Sequence, residues 1–376
     1  MNEAAGWQVI VESPGRINII GEHTDYNQGY VLPTAIDKKI LFKLKKNGSG
    51  KVCTVLSKDL NERFNFDLTK VKRSKQQWEN YLLGVVHEIQ ELGGVLRGFD
   101  CELESSLPIG SGISSSAALE CGLASGLNEL FNLGLTKMQI VALSQRAEHN
   151  YVGTKCGIMD QFSSVMSKAG TVTLLDCRSL EFEYIPFKLE NTKIVLINTN
   201  VSHNLASGEY NIRKEQCEKG VSVIKKSYPE VNSLRDVEPD MLEKCKAALS
   251  PIVYNRCLYV VSEKKRVLEA VESLRRSDID RLGELMYETH EGLQHLYEVS
   301  CPELDFLVAE AKKYPCVTGA RMMGGGFGGC TINLVKEAGS DQFFEEVKIA
   351  YKQKFNRNLT IFTVTPSEGT KVLTRD

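Results

Sequence analysis

The sequence predicts an α+β protein of two domains, and three observations support this fold class. Its 376 residues exceed the roughly 150 residues of a typical single domain. Segments with the apolar periodicity of strands and of helices are mixed, without the regular alternation of a doubly wound parallel sheet. The second half is richer in helical segments, which places the domain boundary near 190–205. We therefore divide the chain into residues 1–195 and 196–376.

The composition excludes several classes of partner. Lys and Arg number 46 against 48 Asp and Glu, so the chain gives no electrostatic reason to bind nucleic acid or an anionic membrane. No apolar run approaches the roughly 18 residues of a transmembrane helix, and the N-terminus lacks a signal-peptide pattern. The 11 cysteines are odd in number and never spaced as CxxC, which is typical of reduced thiols in a cytoplasmic protein. Nothing calls for a protein partner.

The first half contains strands and two well-marked helices. Residues 7–12 and 16–20 have strand-like apolar runs. Two further runs flank the turn sequence "NGSG" (47–50), which predicts a β-hairpin. Residues 78–92 have helical spacing and stop at a glycine pair, and 136–151 open on a threonine cap.

The remaining elements follow the same reasoning. Three strand-like segments lie between residue 170 and the boundary, and the second half is rich in helical segments. The predicted helices of the second half are 209–227, 255–274, 278–297, 302–313 and 340–356, with strands at 317–322 and 330–336 and a last strand in "NLTIFTV".

The stretch "PIGSGISSSAALECGLASGLNEL" (108–130) has the glycines and serines of a phosphate-binding loop, followed by a helix. It has no lysine after the second glycine, which the P-loop pattern requires. Gly110 and Gly112 allow close backbone approach, and Ser114 to Ser116 supply N–H groups at the positive end of a helix. A serine-capped helix after a glycine turn is the plain alternative.

A polyphosphate held only by amides and a helix dipole needs further positive charge, and a divalent cation would provide it. Such an ion takes oxygen ligands, typically a hydroxyl and a carboxylate. Ser116 and Glu148 are the candidates, although a glutamate on a helix is ordinarily a solvated charge.

Three other stretches carry unusual chemistry. "SPGRINIIGEHTDYNQGYVLP" (13–33) crowds acidic groups and a histidine into one turn, as the binding of a polyhydroxy ligand would require. "CGIMDQFSSV" (156–165) holds Asp160 among apolar neighbours, where a helix cap is the alternative. "GARMMGGGFGGC" (319–330) has too many glycines for a turn, which indicates close approach to a ligand or another segment.

Taken together, these segments resemble the GHMP kinases, and more narrowly the galactokinase family. The resemblance spans about residue 7 to the C-terminus and rests on the order of its motifs more than on any one loop. One departure is Met323, where many galactokinases have threonine. The matching stretches are "GRINIIGEHTDY", "PIGSGISSSAA", "QRAEHNYVGTKCGIMDQF", "YNIRKEQCE", "YEVSCPELD" and "GARMMGGGFGGC".

The resemblance implies a two-domain GHMP kinase fold, with a ribosomal-S5-like first domain, a ferredoxin-like second domain and the active site between them. It implies transfer of the γ-phosphate of ATP to the anomeric hydroxyl of α-D-galactose, with Mg²⁺ held by Ser116 and Glu148. Asp160 would accept the hydroxyl proton and Arg16 would stabilise the moving charge, since an adjacent arginine keeps a carboxylate ionised.

The resemblance also implies two sets of binding residues. Trp78 could lie against adenine, with an ordinary core aromatic as the alternative. The sugar set is Glu22, His23, Thr24, Asp25, Gly157, Asp160 and Tyr210. The nucleotide set is Ser57, Trp78, Gly110, Ser111, Gly112, Ile113, Ser114, Ser115 and Ser116.

Two other functions remain open at this point. One is a kinase for another sugar, such as N-acetylgalactosamine or L-arabinose, because pocket size cannot be read from the sequence. The other is a non-catalytic regulator that senses galactose and ATP. Such relatives have lost residues from the serine loop, whereas Ser116, Glu148 and Asp160 are all present here.

Overall fold

Two main β-sheets and the helices packed on them form the framework of the protein. A computed structural model describes residues 6–108, 111–201 and 206–373; Gly110, predicted to bind nucleotide, lies outside the described residues. The first sheet has the strand order β14–β1–β3–β6–β4–β5, with β13 also paired to β3. A second sheet has the order β10–β11–β9–β12, and a small third sheet has the order β2–β7–β8.

The first half of the chain contributes eight strands and four α-helices among its described residues. The strands are β1 (Val9–Asn18), β2 (Tyr30–Val31), β3 (Pro33–Lys46), β4 (Val52–Ser57), β5 (Glu62–Asp67), β6 (Phe99–Ser105), β7 (Thr171–Asp176) and β8 (Phe182–Pro186). The helices are α1 (Gln77–Glu91), α2 (Ser115–Phe131), α3 (Lys137–Ala147) and α4 (Met159–Met166).

The second half contributes six further described helices and six strands. The helices are α5 (Ala206–Ile224), α6 (Pro239–Cys245), α7 (Pro251–Arg275), α8 (Ile279–Gly292), α9 (Pro302–Ala311) and α10 (Ser340–Phe355). The strands are β9 (Thr192–Asn198), β10 (Val317–Met322), β11 (Cys330–Lys336), β12 (Thr360–Val364), β13 (Pro366–Ser367) and β14 (Lys371–Leu373).

Most predicted elements are confirmed, including the α+β class, the glycine stop after α1 and the threonine cap of α3. Thr136 accepts a hydrogen bond from the backbone of Gln139 and completes a capping box at α3. The two strand-like runs near the N-terminus are one strand, β1, whose pairing with β3 shifts register between Pro14 and Arg16. The short helix α6 is absent from the predicted elements.

The predicted hairpin around residues 47–50 is wrong. Strand β6 lies between β3 and β4, antiparallel to the first and parallel to the second. The turn still forms, but it pairs with the segment that leads into β6: Asn47 donates to the Gly98 carbonyl, and the Gly98 N–H donates to Ser49. A local turn sequence therefore predicted the reversal of the chain but not the strand inserted between its arms.

The second sheet separates two hydrophobic cores. Alternate residues of β9 point to opposite faces, as strand geometry requires. Ile194 and Leu196 belong to the large core with the first sheet and α1–α4. Val195 and Ile197 belong to a smaller core under α9 and α10. The two halves therefore share one continuous apolar core rather than touching only at a cleft.

The chain returns from the second half to the first at its C-terminal end. Strand β14 pairs with β1, and β13 pairs with β3, so both lie in the first sheet. The boundary between residues 195 and 196 stays a prediction; it falls within β9, whose seven residues all lie in the second sheet. Within the described residues, no helix is both long and apolar enough to cross a membrane.

Helix α2 lies close to β3 because Gly122 has no side chain. A Cβ atom at Gly122 would lie 2.2 Å from a ring carbon of Phe42, which is fully buried. We expect Gly122→Ala to destabilise the protein by about 1–3 kcal/mol through overpacking, despite the better helix propensity of alanine. Urea unfolding monitored by circular dichroism measures this.

The matched control is Gly50→Ala, at an exposed turn position where a Cβ atom meets no described atom within 4 Å. This change should alter the free energy of unfolding by less than about 0.5 kcal/mol. Equal stability of the two variants would mean that the Phe42 ring can move aside at no cost.

Candidate active site

A cleft lined mainly by polar side chains lies where four distant segments of the chain meet. The turn after β1, the segment between α3 and α4, helix α5 and the glycine loop after β10 each contribute to it. Its lining residues are Arg16, Glu22, His23, Asp25, Glu148, Thr154, Cys156, Met159, Asp160, Tyr210, Gly324 and Gly325.

Arg16 and Asp160 form a two-pronged ion pair in this cleft. The Nε atom of Arg16 donates to Oδ1 of Asp160 at 2.7 Å, and Nη2 donates to Oδ2 at 3.0 Å. The third nitrogen, Nη1, donates to the carbonyl of Gly112 at 2.8 Å. Burial alone would lower the pKa of Arg16, but the carboxylates of Asp160, Glu22 and Asp25 together more than offset this and raise it. Arg16 thus joins the carboxylate to the glycine-serine loop.

Ser114 precedes helix α2 but does not cap it. Its backbone is left-handed (φ 58°), and its hydroxyl makes no hydrogen bond to the helix N–H groups. The hydroxyl donates instead to Oδ2 of Asp160 at 2.5 Å. Asp160 is likewise not a cap: it lies in the first turn of α4, and its two oxygens accept from Arg16 and Ser114. The capping alternatives for both residues are therefore wrong.

Glu22 is held by a buried arginine that the sequence reasoning missed. Nη1 and Nη2 of Arg321 both donate to Oε1 of Glu22 at 3.1 Å, and the Gly324 N–H donates to the same oxygen at 2.9 Å. Arg321 is 0% exposed. Arg321 lies within the third glycine motif, but nothing in the local sequence pattern indicates that Glu22 is its partner.

The acidic turn itself is tightly built. The Thr24 hydroxyl lies within hydrogen-bond distance of two carbonyls, those of Gly21 (2.8 Å) and Tyr30 (2.6 Å). Its side chain is thus engaged inside the turn, and Thr24 does not line the cleft. A Cβ atom at Gly157 would lie 2.0 Å from Oδ2 of Asp25. Only glycine at 157 therefore leaves room for the Asp25 carboxylate.

Burial, together with the nearby charge of Asp160, raises the pKa of Asp25 to about 7. Asp25 is 8% exposed. A carboxyl group with this pKa is divided between its neutral and charged forms near pH 7, so it can both donate and accept hydrogen bonds.

Aromatic rings close the other side of the cleft. His23 has a left-handed backbone (φ 60°), and its ring lies 5.3 Å from that of Tyr210 and 5.0 Å from that of Tyr297. Burial lowers the pKa of His23 to about 4, so its imidazole is neutral at pH 7. The predicted sugar residues Tyr210, His23, Asp25 and Glu22 all line the one cleft.

Glu148 lies in a single π-helical turn that follows α3, close to the Ser116 hydroxyl. Burial, together with the nearby charge of Asp160, raises the pKa of Glu148 to about 7. The Gln161 amide nitrogen donates to Oε2 of Glu148 at 2.7 Å and to Oε2 of Glu120 at 3.1 Å. The structure therefore brings together the hydroxyl and carboxylate predicted to hold a cation, and adds Gln161 and Glu120 behind them.

The described part of the glycine-serine loop is partly exposed to solvent. Gly112 and Ser115 are exposed, whereas Ser111 and Ile113 are buried. The Ile113 carbonyl accepts from the backbone of Arg16 at 3.0 Å.

The third glycine motif packs against this loop: a Cβ at Gly324 would lie 3.0 Å from the Gly112 carbonyl. Met323, the departure from the family pattern, is buried in the core and does not line the cleft.

Ser57 and Trp78 lie apart from the cleft lining. Ser57 ends β4 opposite Glu62, and the indole N–H of Trp78 donates to Glu62 at 2.6 Å. The indole also packs edge-on against Phe64, with ring centroids 5.2 Å apart. The two residues are neighbours, as a shared ligand would require, but contact with a nucleotide stays a prediction for both.

Family models match three parts of the chain. These are "GHMP kinases N terminal domain" at residues 80–168, "GHMP kinases C terminal" at 270–353 and "Galactokinase galactose-binding signature" at 2–46. A mevalonate kinase structure from Methanococcus jannaschii aligns with a TM-score of 0.69 at 21% identity, covering 97% of this chain and 100% of its own, which supports the fold alone. The fold and the sequence matches define a GHMP kinase.

Closer relatives narrow the family. The galactokinase of Thermosipho africanus is 39% identical over 96% of this chain and 98% of its own length, and that of a Roseiflexus species is 37% identical over 96% and 92%. A structure of Lactococcus lactis galactokinase complexed with galactose aligns with a TM-score of 0.94 at 30% identity, covering 99% of this chain and 97% of its own. The chain belongs to the galactokinase family and is an ATP-dependent sugar kinase.

The buried acid at Asp25 makes a pH-dependent prediction. Unfolded Asp25 ionises near its ordinary pKa of 3.8, whereas the folded protein keeps the proton up to about pH 7. Its contribution to stability is therefore lost as pH rises between these values. Asp25→Asn removes this loss, so its stability relative to the unsubstituted protein should increase by about 2–3 kcal/mol between pH 5 and pH 8.

Urea unfolding of both proteins at the two pH values measures the difference. Asp240→Asn, which changes an exposed carboxylate on α6, should shift stability equally at both. A pH-independent effect of Asp25→Asn would show that Asp25 is already ionised in the folded protein at pH 5.

Proposed function

We propose that this protein transfers the γ-phosphate of ATP to O1 of α-D-galactose, giving α-D-galactose 1-phosphate and ADP. The observation that carries the proposal is the Arg16–Asp160 pair. It lies between the acidic turn, which suits a polyhydroxy ligand, and the glycine-serine loop, which suits a phosphate chain. A group that accepts the O1 proton and one that stabilises the transferred phosphoryl are thus adjacent.

Asp160 accepts the proton of the attacking hydroxyl or orients that hydroxyl, depending on how loose the transition state is. Its oxygens face two donors, Arg16 and Ser114, which fix the direction of the carboxylate. Arg16 supplies positive charge beside the phosphoryl group in flight. The same guanidinium also contacts the Gly112 carbonyl, so the position of the loop and that of the carboxylate are set together.

Glu22, His23, Asp25 and Tyr210 bind the sugar hydroxyls in this proposal. Glu22 accepts hydrogen bonds, Asp25 both donates and accepts because its pKa is about 7, and the Tyr210 ring covers one face. Buried polar groups of this kind reject ligands that leave them unpaired, so discrimination among sugars should be strong. Thr24 contributes indirectly, because its hydroxyl hydrogen-bonds within the turn that carries these residues.

Mg²⁺ fits the residues present near the nucleotide loop. The buried carboxylates of Glu120 and Glu148 both accept from the amide nitrogen of Gln161. Oε1 of Glu120 has no hydrogen-bond partner among the described residues. Mg²⁺ usually takes one or two carboxylates together with substrate phosphates. Ser116 and Glu148 would hold it, and when bound it would neutralise charge on the phosphates of ATP.

The nucleotide would lie along the loop from Ser111 to Ser116, with its phosphates at the start of α2. Ser57 and Trp78 would contact its far end. The partners in this proposal are small molecules alone, and the reduced cysteines favour a cytoplasmic location.

The test is ADP release with Mg²⁺-ATP against galactose, 2-deoxygalactose, N-acetylgalactosamine, arabinose, glucose and mevalonate, with the product read by phosphorus NMR. The proposal predicts strong turnover on galactose, phosphate on O1, and no turnover after chelation of the metal. Preference for another sugar would mean that galactose is not the substrate, while the roles of Asp160 and Arg16 in phosphoryl transfer would stand. Binding of galactose and ATP without turnover on any sugar would favour the sensing regulator.

Asp160→Asn should lower kcat by about 10²–10⁴-fold, because it removes the proton acceptor while keeping the shape of the side chain. The matched control is Asp176→Asn, at another arginine–aspartate pair. Asp176 is the last residue of β7, outside the cleft lining, and its Oδ2 lies 2.8 Å from Nη2 of Arg235. Steady-state kinetics with a thermal melt for each variant separates loss of chemistry from loss of folding. A well-folded Asp160→Asn enzyme with near-normal kcat would refute the assignment.

A further inference from the structure

A chain of hydrogen bonds runs from His23 away from the cleft and into the protein. Nδ1 of His23 lies 2.9 Å from the Tyr26 hydroxyl, which lies 2.7 Å from the hydroxyl of Tyr297. The Tyr297 hydroxyl in turn lies 3.3 Å from the sulfur of Cys217. His23 is 3% exposed, and Tyr297 and Cys217 are buried as completely. The segments it joins are the turn after β1, the end of α8 and helix α5.

The free end of this chain is the other nitrogen of His23. Nε2 is buried and has no hydrogen-bond partner among the described residues, although His23 lines the cleft. The Gly325 backbone is close enough to favour a proton on the ring, without a well-formed hydrogen bond. A buried polar atom without a partner is costly unless a ligand satisfies it.

Counting protons along the chain gives it a direction. If each group donates toward His23, the Cys217 thiol donates to Tyr297, Tyr297 to Tyr26 and Tyr26 to Nδ1, so each proton has an acceptor. In the opposite direction, Tyr297 would donate to sulfur, a weak acceptor, and the thiol proton would be left over.

Tyr297 is firmly held and so can fix this direction. It closes a π-helical turn, Leu293–Tyr297, at the end of α8, and Arg213 donates to its carbonyl at 2.8 Å. The ring of Tyr259 packs against it at 4.7 Å. Movement of Tyr297 would break all of these contacts.

We propose that Tyr297 is a positioning residue for His23: through Tyr26 it holds the imidazole as the Nε2–H tautomer, which presents an N–H donor to an acceptor oxygen of the sugar. Burial, which lowers the pKa of His23 to about 4, keeps the ring neutral, as this role requires. The inference deepens the proposed function and rests on it for the identity of the ligand.

The test compares Tyr297→Phe with Tyr351→Phe, two variants that each remove one hydroxyl from a fully buried tyrosine. The Tyr351 hydroxyl donates to the Thr199 carbonyl at 2.9 Å, in the smaller core under α9 and α10. Loss of this hydroxyl therefore has a similar structural cost. Nitrogen NMR of the free protein labelled with ¹⁵N-histidine reads the tautomer, with the His23 signal assigned by His23→Asn. Calorimetry measures the Kd for galactose.

The proton should be on Nε2 of His23 in the unsubstituted protein. Tyr297→Phe should give a mixture of tautomers and raise the Kd for galactose about fivefold, the effect of one neutral hydrogen bond, with KM for ATP unchanged. Tyr351→Phe should match the unsubstituted protein in tautomer and in Kd.

A proton on Nδ1 in the unsubstituted protein would overturn the proposal, as would a Tyr297→Phe protein that matches Tyr351→Phe in tautomer and Kd. If Tyr297→Phe does not fold, Tyr26→Phe breaks the same chain beside the ring and carries the same expectations. The NMR measurement needs no galactose. Failure of the proposed function would therefore appear as absent galactose binding or turnover, separately from the tautomer result.

Discussion

The buried ion pair between Arg321 and Glu22 is the interaction on which the cleft depends. Arg321 is the penultimate residue of β10 in the second sheet, yet its guanidinium donates to the carbonyl of Asn18, the last residue of β1, and to that of Ile19 at 2.8 Å. A charge that is completely buried is tolerated only when its donors are satisfied. Here Glu22 and the backbone satisfy them, so the glycine loop and the acidic turn can occupy only one relative position.

From that fixed point, contacts extend to both ends of the cleft. Glu22 accepts from the Gly324 N–H, and Gly324 lies against the Gly112 carbonyl in the glycine-serine loop. Gly112 also accepts from Arg16, which holds Asp160. The sugar end and the phosphate end therefore belong to one packed unit, because the glycines let three backbones approach within van der Waals distance. Productive alignment of two substrates requires such preorganisation.

The sequence predicted the features that depend on neighbouring residues, such as helices and motifs, but not those that depend on tertiary contacts. The helices with clear periodicity and caps formed as expected, and the crowded acids of the turn do meet Asp160 in one cleft. The hairpin prediction was wrong because strand β6 (Phe99–Ser105) lies between β3 and β4 and pairs with both. The partners of Arg321 and Ser114 were equally invisible, because a motif shows which residues recur together in a family but not which atoms they bind.

The balance of charge in the cleft explains why a site of this composition favours its ligands. Asp160 is close enough to Asp25 and to Glu148 to raise the pKa of each, and Arg16 is a cation in the cleft lining. Burial of these acids costs stability in the free protein, and ligands that bring donors or positive charge relieve that cost. Sugar hydroxyls would do so at Asp25 and a divalent cation at Glu148. The energetic strain of the empty cleft thus favours the complex in which both substrates are present.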